Sequence, residues 1–243
     1  FLIILICIFM MEAGNLVGII LQALVKDLVG TAPSNPLESF ATDDSLPLRI
    51  LFMVILAPLI EEFVFRRFLI DRMRPYGEKL AVVTSALVFG LFHGNLSQMF
   101  YAFTLGLVFG YVYLRTGKLR YSVGLHMIIN LFGGVLSVEL MKAAGSGLAA
   151  LEQLDPAELM QSGTPDFSSV LTPGLIAFLL YAVALMGCAA AGLVLLCVRA
   201  RKVQFEPTPL ELPRGKRFST VWLNVGMLLF LAVCLVSVVL TFA

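Results

Sequence analysis

Long apolar runs separated by short polar ones organise this chain. Stretches near the length needed to cross about 30 Å of hydrocarbon fall at roughly 1–25, 47–70, 79–95, 98–114, 120–140, 173–198 and 219–242. The pattern predicts an all-α bundle of about seven transmembrane helices, forming one integral membrane domain over residues 1–243. The third run is short and ends in His93-Gly94-Asn95, so that helix is expected to tilt or to cross only part of the bilayer. The chain opens at Phe1 inside an apolar run, with no methionine and no basic flank. The run therefore reads as a fragment's start, and the count becomes eight only if the N-terminus is truncated. The run Phe1–Val25 is too long, and lacks the basic n-region, for a cleavable signal peptide.

The polar loops alternate in charge. Residues 66–79, 115–120 and 199–217 hold 14 of the 17 lysines and arginines. The loops between them are acidic: Asp27, Glu38, Asp43 and Asp44 face one lysine, Lys26, and Glu152, Asp155, Glu158 and Asp166 face Lys142. Basic loops stay in the cytoplasm, and the alternation is unbroken over all seven runs, which puts the C-terminus outside. Within the loops, Asp155-Pro156-Ala157-Glu158 reads as the start of a short surface helix through Met160. Pro207, Pro209 and Pro213 make the last basic loop an extended linker.

Composition agrees with a membrane protein. The chain is 59% hydrophobic and 14% charged, with a mean hydropathy of +0.95. A net charge of +1 gives no cue for nucleic acid. Cys7, Cys188, Cys197 and Cys234 lie in apolar runs without a CxxC pair and read as buried small hydrophobes. Ala102, Gly106 and Gly110 form a small-residue stripe, and Gly14 and Gly18 a shorter one. Both are expected to be close packing faces inside the bundle rather than dimer contacts. No repeat, second domain or signal of oligomeric state is visible.

The chemistry lies in the polar residues of these runs. Glu61 and Glu62 interrupt the second run, and an acid at mid-membrane costs roughly 2.5–3.5 kcal/mol on insertion scales. Glu62 and Arg66 are four apart, so they share a helical face and can pair. Glu61 lies about 100° round the helix and is free for another task. The plainer alternative is a helix end at the interface, with these side chains reaching water. His93 and His126 are the only histidines, and His126 shares a face with Asn130. Either imidazole alone is as well explained by a bond between helices. Together these groups offer a carboxylate to activate water, imidazoles for proton transfer and an amide for an oxyanion. Glu12 and Asn15 in the first run are expected to pair with a neighbour or face a cavity rather than catalyse.

Three motifs in order, Glu-Glu-x-x-x-Arg at 61–66, Phe-x-x-x-His at 89–93 and His-x-x-x-Asn at 126–130, resemble those of the CPBP intramembrane proteases. That family includes type II CAAX prenyl endopeptidases and Abi-type bacterial proteins. The resemblance covers a core of about 48–140. It implies a catalytic set of Glu61, Glu62, Arg66, His93, His126 and Asn130. Glu61 would activate water, His93 would share or orient it, His126 and Asn130 would stabilise the oxyanion, and Arg66 would hold the site through Glu62. It also implies a membrane-associated peptide or protein, prenylated tails among them, as substrate, met in the lipid bilayer, and no cofactor. Two histidines and two glutamates are zinc-ligand types, but His-Glu-x-x-His is absent and adjacent glutamates point apart, so a metal-free route is favoured. The short loops suit a prokaryotic plasma-membrane protein whose site opens to the cytoplasm. Two alternatives remain: a non-catalytic immunity or scaffold protein of the same fold, and a proton-relay transporter, which would need a broken-helix repeat.

Overall fold

A computed structural model describes residues 2–31, 45–153, 167 and 169–242. The expected surface helix at 155–160 lies outside them. Among the described residues the chain is mostly helical, with no strand. Eight helices follow in order. They are α1 (Leu2–Val29), α2 (46–73), α3 (Glu78–Phe92), α4 (Leu96–Thr116), α5 (Leu119–Glu152), α6 (Pro173–Ala200), α7 (Arg214–Trp222) and α8 (Val225–Leu240). Three stretches are wound as π-helix: Ile50–Leu56 and Phe63–Ile70 on either side of the glutamate pair in α2, and Asn130–Leu136 in α5.

Each apolar run of the sequence coincides with a helical segment, but not every one is a full span. Helices α1, α4, α5 and α6 are long and apolar enough to cross a membrane, and α7 with α8 would make a fifth if counted together. That gives four or five by length and composition, against seven expected; α2 has the length but carries Arg49, Glu61, Glu62 and Arg66. The 15 residues of α3 reach about 22 Å, short of the hydrocarbon thickness. The last run breaks at Asn224, whose side chain accepts the Met227 N–H at 3.0 Å and caps α8. The chain bends there by 63°. Apolar side chains that face outward clothe the bundle, with Val183 of α6 71% exposed. A protein with such a surface is an integral membrane protein, because in lipid these side chains need no burial.

Helix α4 packs most extensively on α3 and α1, and the small-residue stripes make those seams. A Cβ added to Gly106 would stand 3.0 Å from Cα of Ala86 in α3. At Gly14 an added Cβ would meet the backbone of Tyr101 and Phe100 in α4. Both stripes are internal, as expected.

The basic ends of α2 to α6 lie together and are strapped by the linker 203–213. The Leu210 and Leu212 N–H groups donate to the Pro75 and Tyr76 carbonyls at 3.2 and 3.0 Å. Phe205 packs on a core of Ile70, Ala81, Val82, Tyr113 and Leu114. Glu78 ties the strap to the bundle: it accepts the Glu206 N–H at 2.8 Å and pairs with Arg74 at 3.0 Å and with Arg115. Burial works to raise the Glu78 carboxyl, but the Glu206 N–H and the two guanidiniums outweigh it and hold the group below the usual range.

Two tests follow from this packing. Gly14→Leu should lower stability in detergent by about 1–3 kcal/mol through overpacking, while Gly187→Leu, at a site with open space around it, should be neutral; thermal unfolding of both variants is the measurement. Because the folded pKa of Glu78 is depressed, its stabilisation is complete above the ordinary value of 4.5 and is lost as pH falls below it. Wild-type Tm should therefore drop on acidification below that value, and Glu78→Gln should start lower at neutral pH and show a smaller acid-side drop.

Candidate active site

The site is assembled around Arg66, whose side chain is fully buried. Its position four residues after Glu62 puts both on one face of α2. The guanidinium donates Nε–H and Nη2–H to the two Glu62 oxygens at 2.9 and 3.2 Å. A third donor, Nη1, reaches Ser85 Oγ of α3 at 3.0 Å, and that hydroxyl donates to the Phe65 carbonyl at 2.7 Å. The guanidinium also lies 4.9 Å from the centre of the Phe89 ring. A charge pair with no solvent exposure holds only when its donors and acceptors are satisfied in this way.

Glu62 also holds His126 of α5. The imidazole Nδ1–H donates to Glu62 Oε1 at 3.1 Å, leaving Nε2 directed at Glu61 Oε2, 3.7 Å away. Phe109 stacks on the ring at 5.2 Å between centroids, and Phe89 meets it edge-on. The two carboxylates thus bracket one imidazole from its two nitrogens. Glu62 is closed off completely, while the Glu61 side chain keeps 19% of its exposure.

That exposure opens into a cavity of about 310 Å³. Glu61, His93, His126 and Asn130 all line it. Helix α3 ends at Phe92, and Gly94, with φ +63°, allows the tight turn into α4. Asn95 secures that turn by donating to the His93 carbonyl at 2.8 Å and accepting the Gln98 N–H at 2.9 Å. His93 Nδ1–H donates to the Phe89 carbonyl at 2.9 Å, so its Nε2 remains for other partners. Asn130 opens the π-helical stretch of α5 and donates one amide N–H to the Met53 carbonyl in the π-helical stretch of α2, at 2.8 Å. Such turns release carbonyls from regular helical bonding and recur at functional sites.

All six expected residues therefore come together, four at the cavity wall and two, Glu62 and Arg66, behind it. The sequence reading missed Ser85, Ser122 and Phe109, and also Gln98 and Tyr101, which line the cavity. Ser122, buried beside Glu62, donates its hydroxyl to the Leu119 carbonyl at 3.0 Å. A signal for two of them was present: Ser85, Phe89 and His93, and likewise Ser122, His126 and Asn130, recur at i, i+4 and i+8 on one face. Asn15 lines the cavity, one of the two outcomes expected for the first run's polar pair.

Comparison with known proteins bears on the same segment. Residues 43–132 match the family model described as type II CAAX prenyl endopeptidase Rce1-like, the stretch that contains all three motifs. That stretch is similar to the Rce1-like family. The chain is 24% identical over 115 residues to the candidate membrane peptidase YdiL of Bacillus subtilis, covering 46% of each chain. It is 30% identical over 94 residues to the membrane-embedded CAAX protease MroQ of Staphylococcus aureus, covering 36% of this chain and 38% of that protein. The chain thus matches less than half the length of either relative. No solved structure gives a significant match. The Rce1-like segment contains α2 to α4 and the first part of α5, the elements that supply every motif residue.

Removing one member of the buried pair should be costly. Arg66→Met leaves the Glu62 carboxylate without its counter-ion and should destabilise by about 3–5 kcal/mol. Arg66→Lys should recover only part of that, because an ammonium cannot span both Glu62 oxygens and Ser85. The paired change Glu62→Leu with Arg66→Met should be more stable than Arg66→Met alone. Thermal unfolding of the three variants measures this.

Proposed function

We propose that the protein is an intramembrane endopeptidase that hydrolyses a peptide bond of a membrane-associated substrate. The observation that carries this reading is the cavity in which Glu61, the one partly open carboxylate of the pair, meets His93, His126 and Asn130. The Rce1-like core and the naming of MroQ as a membrane-embedded CAAX protease support the reaction class.

In this proposal Glu61 is the general base. It takes a proton from water held with His93 Nε2, and the hydroxide adds to the scissile carbonyl. The second amide N–H of Asn130, the one not given to Met53, donates to the developing oxyanion, together with His126 Nε2–H when the ring is protonated. Collapse of the tetrahedral intermediate breaks the C–N bond, and Glu61 returns its proton to the leaving amine. Glu62 and Arg66 are positioning residues: they hold His126 in place and keep a second negative charge away from the water.

The proposed route is metal-free. Among the described residues no three His, Cys, Asp or Glu side chains converge as a ligand set. Both Glu62 oxygens are engaged by Arg66, with His126 on one of them, and His93 Nδ1 is engaged by Phe89. The two carboxylates approach opposite nitrogens of His126 instead of one point.

A cavity walled by membrane helices suits a substrate that arrives through lipid, such as a lipidated tail or a membrane-bound propeptide. His126 lies seven residues into α5 from its basic end, about 10 Å, and by the positive-inside rule that end faces the cytoplasm. Both named relatives are bacterial, in keeping with a prokaryotic plasma membrane.

The test compares peptide termini in membranes carrying wild type or Glu61→Gln at matched levels. The substitution keeps the side-chain shape and removes the base. A discrete set of termini should fall by at least about 10²-fold in the variant, and chelators should leave the wild-type set unchanged. Identical profiles, with the deletion phenotype still rescued by Glu61→Gln, would replace this reading with a non-catalytic scaffold.

A further inference from the structure

A second cavity lies nearer the basic end of the bundle and shares no lining residue with the first. It measures about 620 Å³, within the range of small-ligand sites. Its walls are apolar: Ile6 and Met10 of α1, Val83 of α3, Leu107 and Val108 of α4, and Leu196 of α6. No carboxylate, imidazole or thiol lines it. The division is sharp along α1, where Met10 lines this cavity and Met11 the other.

Its polar edge is basic. Lys79, Arg199 and Lys202 line it, all three exposed. Among the described residues none of them forms an ion pair, although acids are at hand at this end of the bundle: Arg74 and Arg115 pair with Glu78, and Arg217 with Glu211. The strap completes the wall. Phe205 packs edge-on to Tyr111 at 5.8 Å, and the Gln204 N–H donates to Tyr111 Oη at 3.5 Å.

We propose that this cavity binds an anionic phospholipid, with an acyl chain in the apolar cleft and the phosphate among Lys79, Arg199 and Lys202. An apolar cleft between membrane helices favours hydrocarbon, and three unpaired cations at its edge favour a negative headgroup at the same level. Arg199 can hold a phosphate through two parallel N–H bonds. Inorganic phosphate would meet the cations and leave the cleft unfilled. A zwitterionic lipid would fill the cleft, but its own cation opposes the basic edge. A prenylated peptide would use the cleft and leave the cations without a phosphate. The anionic phospholipid alone uses both halves, and the proposal does not depend on the peptidase reading.

The test is native mass spectrometry of the full chain in mild detergent, with dioleoyl phosphatidylglycerol or dioleoyl phosphatidylcholine added. Wild type should retain the phosphatidylglycerol at least tenfold better. The triple change Lys79→Gln, Arg199→Gln and Lys202→Gln should bring its retention down to that of phosphatidylcholine. Val83→Trp, which fills the cleft, should lower both. Removing three other basic residues, Lys118→Gln, Arg120→Gln and Arg214→Gln, should change nothing. The charge variant alters exposed side chains only, so it carries the test by itself if Val83→Trp fails to fold. Equal retention of the two lipids by wild type would overturn the proposal, as would an equal loss in the control triple. Stronger retention of a prenylated peptide than of phosphatidylglycerol, unaffected by the charge triple, would give the cleft to lipidated peptides and overturn it too.

Discussion

The fully buried Glu62–Arg66 pair is the constraint on which the core depends. A carboxylate and a guanidinium without solvent must each find every partner inside the protein. Glu62 therefore draws in His126 from α5, and Arg66 draws in Ser85 from α3. Three helices are tied at one point by charge-assisted hydrogen bonds whose geometry leaves little freedom. Phe89 and Phe109 fill the space around that point, both against the guanidinium and both against the imidazole.

The same constraint separates two chemically identical neighbours. Glu62 has no oxygen to spare, whereas Glu61, one position on and about 100° round the helix, looks into the cavity. Electrostatic roles divide accordingly: one carboxylate fixes an imidazole from behind, and the other stays available in front of it. The π-helical stretches that flank the pair, and the one that begins at Asn130, let α2 and α5 exchange a side-chain-to-backbone bond at Met53. The small faces of α1 and α4 bring their backbones close, so α4 carries Gln98 and Tyr101 to the cavity wall.

At the basic end, charge serves a different purpose. Glu78 gathers Arg74, Arg115 and the linker backbone into one exposed-edge network, which is how a proline-containing segment without regular structure lies firmly on the bundle. Lys79, Arg199 and Lys202 are left outside that network, beside an apolar cleft. The two cavities described are thus of opposite character, one lined by titratable groups and one by hydrocarbon with a cationic rim.

Much of this was determined by the sequence alone. Each apolar run marked a helical segment, the i, i+4 spacing paired Glu62 with Arg66 and set Glu61 apart, and the glycine stripes marked internal seams. These features are properties of one helix at a time, and helical periodicity encodes them directly. Tertiary structure decided the rest. Run length alone did not fix the number of spans, since α3 is short, α2 carries charges along its length and Asn224 breaks the last run by capping a new helix. Nothing in α2 says that the Glu62 oxygens will also meet His126, sixty-four residues away. Nothing in α3 singles out Ser85 as the hydroxyl that receives Arg66. A one-dimensional pattern states which face of a helix is polar; which two faces meet depends on close packing between distant segments, and that is settled only when the helices come together.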